Sequence, residues 1–224
     1  TSSLVGSEMC IRDSIYSPYL KEKQSQLYID HVRGIYKVLE RIQAKYPHLP
    51  MMLCSGGGGR CDYEALKYFT EFWPSDNTDP VERIFIQWGF SQFFPANTLC
   101  AHVTSWGKQP LKFRTDVAMM GKLGFDISMA DRSAAEQAFC REAVANFKRL
   151  KPVILGGDLF RLVSPYETEH AALVYVAKDK KKAVLYAYNI HPRFGEKLFP
   201  VRLQGLDPAL QYRVEAVSYT HLRA

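Results

Sequence analysis

Hydrophobic and polar positions along this chain change their pattern near Pro152. Over residues 27–45, LYIDHVRGIYKVLERIQAK, apolar side chains recur at Tyr28, Val32, Ile35, Leu39 and Ile42. That spacing predicts one face of a helix. PHLP (47–50) ends it, MMLC (51–54) predicts a short buried strand, and SGGGGR (55–60) predicts a loop. DYEALKYFTEF (62–72) returns to helical spacing, with Tyr63, Leu66 and Phe69 on one face. WPSDNT (73–78) reads as loop and PVERIFIQWGFSQFF (80–94) as a helix rich in aromatics. LCAHVT (99–104) and LGFDIS (123–128) predict strands. Ser133 and Glu136 fit a capping box, S-x-x-E, that opens a helix running to about Leu150. Short apolar strands alternating with amphipathic helices predict βα units around a parallel sheet.

After Pro152 the period becomes two. ALVYVA (172–177) and AVLYAYNI (183–190) predict strands, the second with Val184, Tyr186, Tyr188 and Ile190 on one face. LFPVRL (198–203) and QYRVEA (211–216) follow, separated by Gly, Pro and Asp. This pattern predicts antiparallel β-structure, part of a sandwich, with a domain boundary near Gly156–Gly157.

Composition narrows the class. A chain of 224 residues suffices for one large domain, or one domain and a fraction of another, and 47% hydrophobic residues can fill a core. No apolar run reaches the roughly 18 residues that a helical membrane span needs. The net charge of +6 is spread along the chain, so it does not point to nucleic acid. KDKKK (178–182) lies between two predicted strands and reads as a solvated hairpin turn. Five cysteines, Cys10, Cys54, Cys61, Cys100 and Cys140, are odd in number and irregular in spacing. They argue against a disulfide framework, and without a C-x-x-C pair they argue against structural zinc. The two ends, TSSLVGSEMCIRDS (1–14) and VSYTHLRA (217–224), resemble translated adapter sequence. On that reading residues 15–216 are an internal piece of a longer protein.

Two segments carry candidate chemistry. SGGGGR follows a strand, yet it fits neither G-x-x-x-x-G-K-[ST] nor G-x-G-x-x-G, so a nucleotide loop is not expected. Residues without Cβ let a ligand approach the backbone closely and offer it N–H donors; the bland reading is a turn made of glycine for steric reasons alone. In FWPSDNTDPVERI (72–84), Asp79 is placed to cap a helix with Pro80 at its first position and Glu82 at its third. Asp76 is not needed for that cap. Beside Trp73 it would meet an aromatic wall, a setting that suits a general acid; the alternative is an aspartate that only shapes the turn. His102 lacks a partner at ligand spacing and reads as a packed or hydrogen-bonded histidine.

In chain order, CSGGGGRCDYEAL, FWPSDNTDPVERIFIQWGFSQFFPA, CAHVT and KFRTDVAMMGKLGFDIS resemble the α-galactosidases of glycoside hydrolase family 36. The resemblance covers essentially all of residues 15–216. It implies an α/β fold: the C-terminal part of a (β/α)8 TIM barrel, roughly its fifth to eighth strands, followed by an incomplete antiparallel β-sandwich domain. The parts are then a non-native tail (1–14), half a catalytic barrel (15–155), part of a C-terminal sandwich (156–216) and a second non-native tail (217–224). The resemblance implies retaining hydrolysis of terminal α-D-galactosyl residues from melibiose- and raffinose-type oligosaccharides. Asp76 matches the family's general acid/base, and Cys54, Ser55, Gly56 and Gly57 match its galactose-pocket loop. Trp73 matches an aromatic close to the acid/base.

Retention needs a second carboxylate about 5–5.5 Å from the first. The family carries that nucleophile in a segment upstream of IYSPYL (15–20), where this chain has its adapter-like end. Asp13 stands in no matching motif and is not assigned. The expectation is an intact parent that hydrolyses α-galactosides and a fragment that is inactive and poorly stable alone. No metal or cofactor, nucleic acid or membrane partner is expected. The parent is of bacterial type, open as to cytoplasm or periplasm, and a homo-oligomer is possible in its family. The competing readings are an α-galactosyl transferase of raffinose-synthase type and a non-catalytic carbohydrate-binding fragment.

Overall fold

A computed structural model of the chain describes residues 17–195 and 200–216. The two end segments read as foreign, and the first two residues of LFPVRL, lie outside the described residues. Two compact units divide the chain, one running to Asp76 and the other from Asn77 onward.

In the first unit, α1 (Leu27–Lys45) occupies the span its periodicity predicts. Leu39 is buried, Ile35 and Ile42 are half-buried, and Tyr28 and Val32 are exposed. Two short strands, β1 (Met52–Leu53) and β2 (Glu71–Phe72), pair in parallel, Met52 opposite Glu71 and Leu53 opposite Phe72. The helix predicted over 62–72 does not form. Asp62 accepts the Ala65 N–H at 2.8 Å, a single 3-10 turn follows over Ala65–Lys67, and the chain then extends. Thr70 donates from both its N–H (2.9 Å) and its hydroxyl (3.1 Å) to the carbonyl of Met51. Pairing with β1 buries Phe72 completely, and that non-local gain overrides a local helical pattern that leaves Tyr63 and Leu66 in solvent.

The second unit begins with α2 (Pro80–Phe90) and continues through β3 (Cys100–Val103), α3 (Leu111–Ala118), β4 (Lys122–Phe125) and α4 (Ala134–Gly156). β3 and β4 are parallel, paired from Cys100 opposite Lys122 to Val103 opposite Phe125. With α3 as the crossover they make one βαβ unit, whose interior holds Ala101, Val103 and Ala118. The capping box at Ser133 and Glu136 forms as expected, but α4 does not stop near Leu150. It continues through Pro152 to Gly156, because Val153 and Ile154 are buried in the main core and hold that last turn.

Three antiparallel strands follow: β5 (Asp158–Val163), β6 (His170–Val176) and β7 (Ala183–Asn189), in that spatial order. β6 lies in the middle, and every residue from Ala171 to Val176 is buried. The predicted face of β7 packs on the core through Val184, Tyr186, Tyr188 and Ile190. KDKKK forms the exposed turn between β6 and β7, with Lys180 at φ 57° and the Ala177 N–H bonded to the Lys182 carbonyl. The described residues of LFPVRL, and all of QYRVEA, are not in strands. Val214 is 92% exposed, so alternation there reports no buried face.

Three tyrosines join the sheet to α3. Their hydroxyls donate to backbone carbonyls at and just past the C-terminal end of that helix: Tyr188 to Asp116 (3.1 Å), Tyr186 to Met119 (2.7 Å) and Tyr175 to Met120 (2.9 Å). A helix leaves its last carbonyls without partners inside the helix, and here the sheet supplies the donors. Burial pushes all three phenols well above their usual range.

Candidate active site

The glycine loop leaves the C-terminal end of β1. It folds back on itself, with the Ser55 N–H donating to the Gly57 carbonyl at 2.8 Å. Gly56 (φ 55°) and Gly57 (φ 79°) both take the left-handed region that favours glycine. A Cβ on Gly57 would stand 2.8 Å from the Cα of Ser75 and 3.2 Å from the N of Asp76. One on Gly58 would stand 2.8 Å from the Pro74 carbonyl oxygen, which the Gly58 N–H reaches at 3.0 Å. The loop after β1 and the loop after β2 thus lie against each other, backbone to backbone. Both follow the C-terminal ends of parallel strands, the place where α/β sheets build their sites. Of the predicted pocket residues, Ser55 and Gly57 are buried while Cys54 and Gly56 are exposed.

Asp76 is exposed, and the Trp73 indole N–H donates to its Oδ1 at 3.0 Å. Trp73 is itself anchored, its backbone N–H bonded to the Leu53 carbonyl at 2.8 Å. The sequence suggested an indole face that strips water from the carboxyl. The structure corrects this: the indole meets Asp76 edge-on, through its N–H, and orients a solvated carboxyl group. Asp79 has the other role expected of it. Its Oδ1 accepts the N–H groups of Val81 (2.9 Å) and Glu82 (3.2 Å) at the start of α2. The two aspartates therefore divide as the spacing predicts, one holding a helix end and one facing outward.

Asp62, two residues past the loop, is engaged in structure. Tyr36 donates its hydroxyl to Asp62 at 2.6 Å, and Asp62 also starts the 3-10 turn. Burial, with Asp62 adding to it, pushes the Tyr36 phenol above its usual range. Burial likewise pushes the Cys61 thiol up to about 11, with Asp62 and Cys54 as smaller causes. A thiol in that state is a poor nucleophile at neutral pH. His102 lies against β4, where a Cβ on Gly124 would stand 2.5 Å from its Cδ2, as a packed histidine does. Among the described residues no group of three or more His, Cys, Asp or Glu could hold a metal ion. The contact of residues 57–58 with 74–76 was not legible in the sequence, where only the glycine run hinted that another backbone comes close.

Comparison with known proteins gives the family. Residues 8–157 match the family model described as Melibiase, and residues 170–222 match the glycosyl hydrolase family 36 C-terminal domain. The probable alpha-galactosidase G of Aspergillus terreus is 36% identical over 192 residues, 83% of this chain and 26% of the relative. Alpha-galactosidase 1 of Pediococcus pentosaceus is 34% identical over 206 residues, 89% of this chain and 28% of the relative. The crystal structure of the GH36 alpha-galactosidase AgaB from Geobacillus stearothermophilus superposes with a TM-score of 0.80 at 33% identity, over 87% of this chain and 27% of that one. An AgaA variant from the same organism, crystallised in complex with raffinose, also gives 0.80, at 32% identity and the same coverage. The fold is thus the C-terminal part of a (β/α)8 barrel running into an antiparallel β-domain, and the chain spans roughly a quarter of its relatives' length. The chain belongs to the melibiase family, the α-galactosidases of glycoside hydrolase family 36.

Proposed function

We propose that the protein to which this chain belongs is a retaining α-galactosidase, releasing terminal α-D-galactose from melibiose- and raffinose-type oligosaccharides, with Asp76 as its general acid/base. The relatives are named as alpha-galactosidases, and solved relatives are complexes with raffinose and stachyose. The observation that carries the assignment is the contact of Gly57 with Ser75 and Asp76. It sets a glycine loop, whose backbone a ligand can approach closely, directly beside the outward-facing carboxyl group.

In this mechanism Cys54, Ser55, Gly56 and Gly57 line the galactose, and Trp73 orients Asp76. The Asp76 carboxyl gives its proton to the glycosidic oxygen while a second carboxylate attacks the anomeric carbon. The Asp76 carboxylate then takes a proton from the water that releases galactose. Two carboxyl groups carry this chemistry, so it calls for no metal or organic cofactor. The second has no assigned position in this chain and belongs to the upstream barrel of the intact protein. The 224-residue chain alone is therefore expected to be inactive. In the intact enzyme, Asp76→Ala should reduce kcat on raffinose by at least about 100-fold more than on an aryl α-galactoside whose leaving group needs no proton. Equal losses on the two substrates would remove Asp76 from the role.

A further inference from the structure

The glycine loop is held at its two ends by different means. Its start follows β1, whose Leu53 is paired with Phe72. Its end runs into no strand. Cys61 donates its N–H to the Gly58 carbonyl at 3.0 Å, and the next residue, Asp62, is caught from α1. The Tyr36 hydroxyl reaches both Asp62 carboxylate oxygens at 2.6 Å, within the short range of a hydroxyl that donates to an ionised acceptor. Tyr36 is one of three α1 side chains that grip the segment after the loop. The Tyr68 hydroxyl donates to Glu40 at 3.3 Å, and Gln43 Nε2 donates to the Lys67 carbonyl at 3.0 Å. The Tyr36 ring stacks on that of Tyr68, with centroids 5.5 Å apart. Positions 36, 40 and 43 share one face of the helix.

Successive glycines have more backbone freedom to lose than other residues, so a ligand that must order them binds less tightly. Fixing both ends before the ligand arrives removes part of that loss. Every link in this chain of contacts lies in the unit that holds the loop and Asp76. We propose that Tyr36 is a positioning residue: through Asp62 it fixes the exit of the glycine loop, so that the loop backbone is already shaped for the galactosyl ring when substrate binds. This rests on the α-galactosidase reading and adds to it a residue that acts through another.

Tyr36→Phe keeps a ring to stack on Tyr68 and removes only the hydroxyl. In the intact enzyme it should raise KM about fivefold on raffinose and on an aryl α-galactoside alike, because both carry the same galactose, with kcat held within about twofold. Adding it to Asp62→Ala should raise KM no further, because both substitutions break the same bond. A fall in kcat at constant KM is what a smaller folded fraction gives, and it would overturn the proposal. Kinetics that do not change, or effects of the two substitutions that multiply, would also overturn it. If the wild-type enzyme hydrolyses neither substrate, it is the α-galactosidase reading that fails. Hydrogen exchange at residues 56–60 of the same intact protein then decides the tether: faster exchange in Tyr36→Phe supports it, and unchanged exchange overturns it.

Discussion

Gly57 meets Ser75 with no room for a side chain between them: a Cβ would come within 2.8 Å of the Ser75 Cα, at a residue already in the left-handed region. Gly57→Ala must therefore move the 75–76 backbone or distort its own. The left-handed backbone alone costs about 1–2 kcal/mol. A displacement of order 1 Å at Asp76 should lower kcat/KM on raffinose about 100-fold. Gly34 provides the contrast. It lies inside α1 with nothing within 4 Å of its Cβ position, so Gly34→Ala should stabilise by about 0.5–1 kcal/mol and leave kinetics unchanged. Thermal melts and raffinose kinetics on the two variants check both outcomes.

Asp76 and Asp79 should separate cleanly in experiment. Asp79→Ala removes the acceptor for two N–H groups at the start of α2 and should cost about 0.5–2 kcal/mol of stability. Asp76→Ala removes only an exposed hydrogen bond from Trp73, so its effect on stability should stay within about 0.5 kcal/mol while its effect on turnover is large. Chemical denaturation beside raffinose turnover distinguishes them. A destabilised Asp76→Ala with normal turnover would reduce that residue to shaping its turn.

The tyrosines that reach α3 predict a pH dependence. Burial favours the neutral phenol, so the folded pKa values of Tyr175, Tyr186 and Tyr188 lie above the unfolded value of 10. Their contribution to stability is full below about pH 10 and is lost as pH rises further, through the folded values. Tyr188→Phe removes the hydroxyl that donates to the Asp116 carbonyl, at a cost of about 0.5–1.5 kcal/mol, and should flatten the alkaline fall in stability. Urea unfolding at pH 8 and above pH 10 measures both.

Much of this architecture was legible along the chain, and the failures have physical causes. The helix over 27–45 and the caps at Asp79 and Ser133 are set by local spacing and local hydrogen bonds, and they stand where the sequence puts them. Residues 62–72 do not, because their fate depends on β1, a partner far off in sequence. α3 went unpredicted since its buried positions include Thr115, whose hydroxyl bonds back to the Leu111 carbonyl, a polar residue that breaks an apolar stripe. β5 was missed because Arg161 interrupts its alternation; that side chain finds the Ser91 carbonyl at 2.9 Å. At the site, the division of labour between Asp76 and Asp79 could be read from capping rules. The packing of the glycine loop on residues 74–76, and the edge-on approach of Trp73, arise only when the chain is folded.

The role of Asp76 is tested most directly by the product that azide gives with Asp76→Ala in the intact enzyme, acting on an aryl α-galactoside. An activated leaving group departs without the acid, and azide can then attack the galactosyl–enzyme with no base to assist it. Two inversions at the anomeric carbon yield α-galactosyl azide, and its formation with faster turnover is the predicted result. The β-galactosyl azide would make Asp76 the nucleophile, and turnover that azide does not change would leave it with no part in proton transfer.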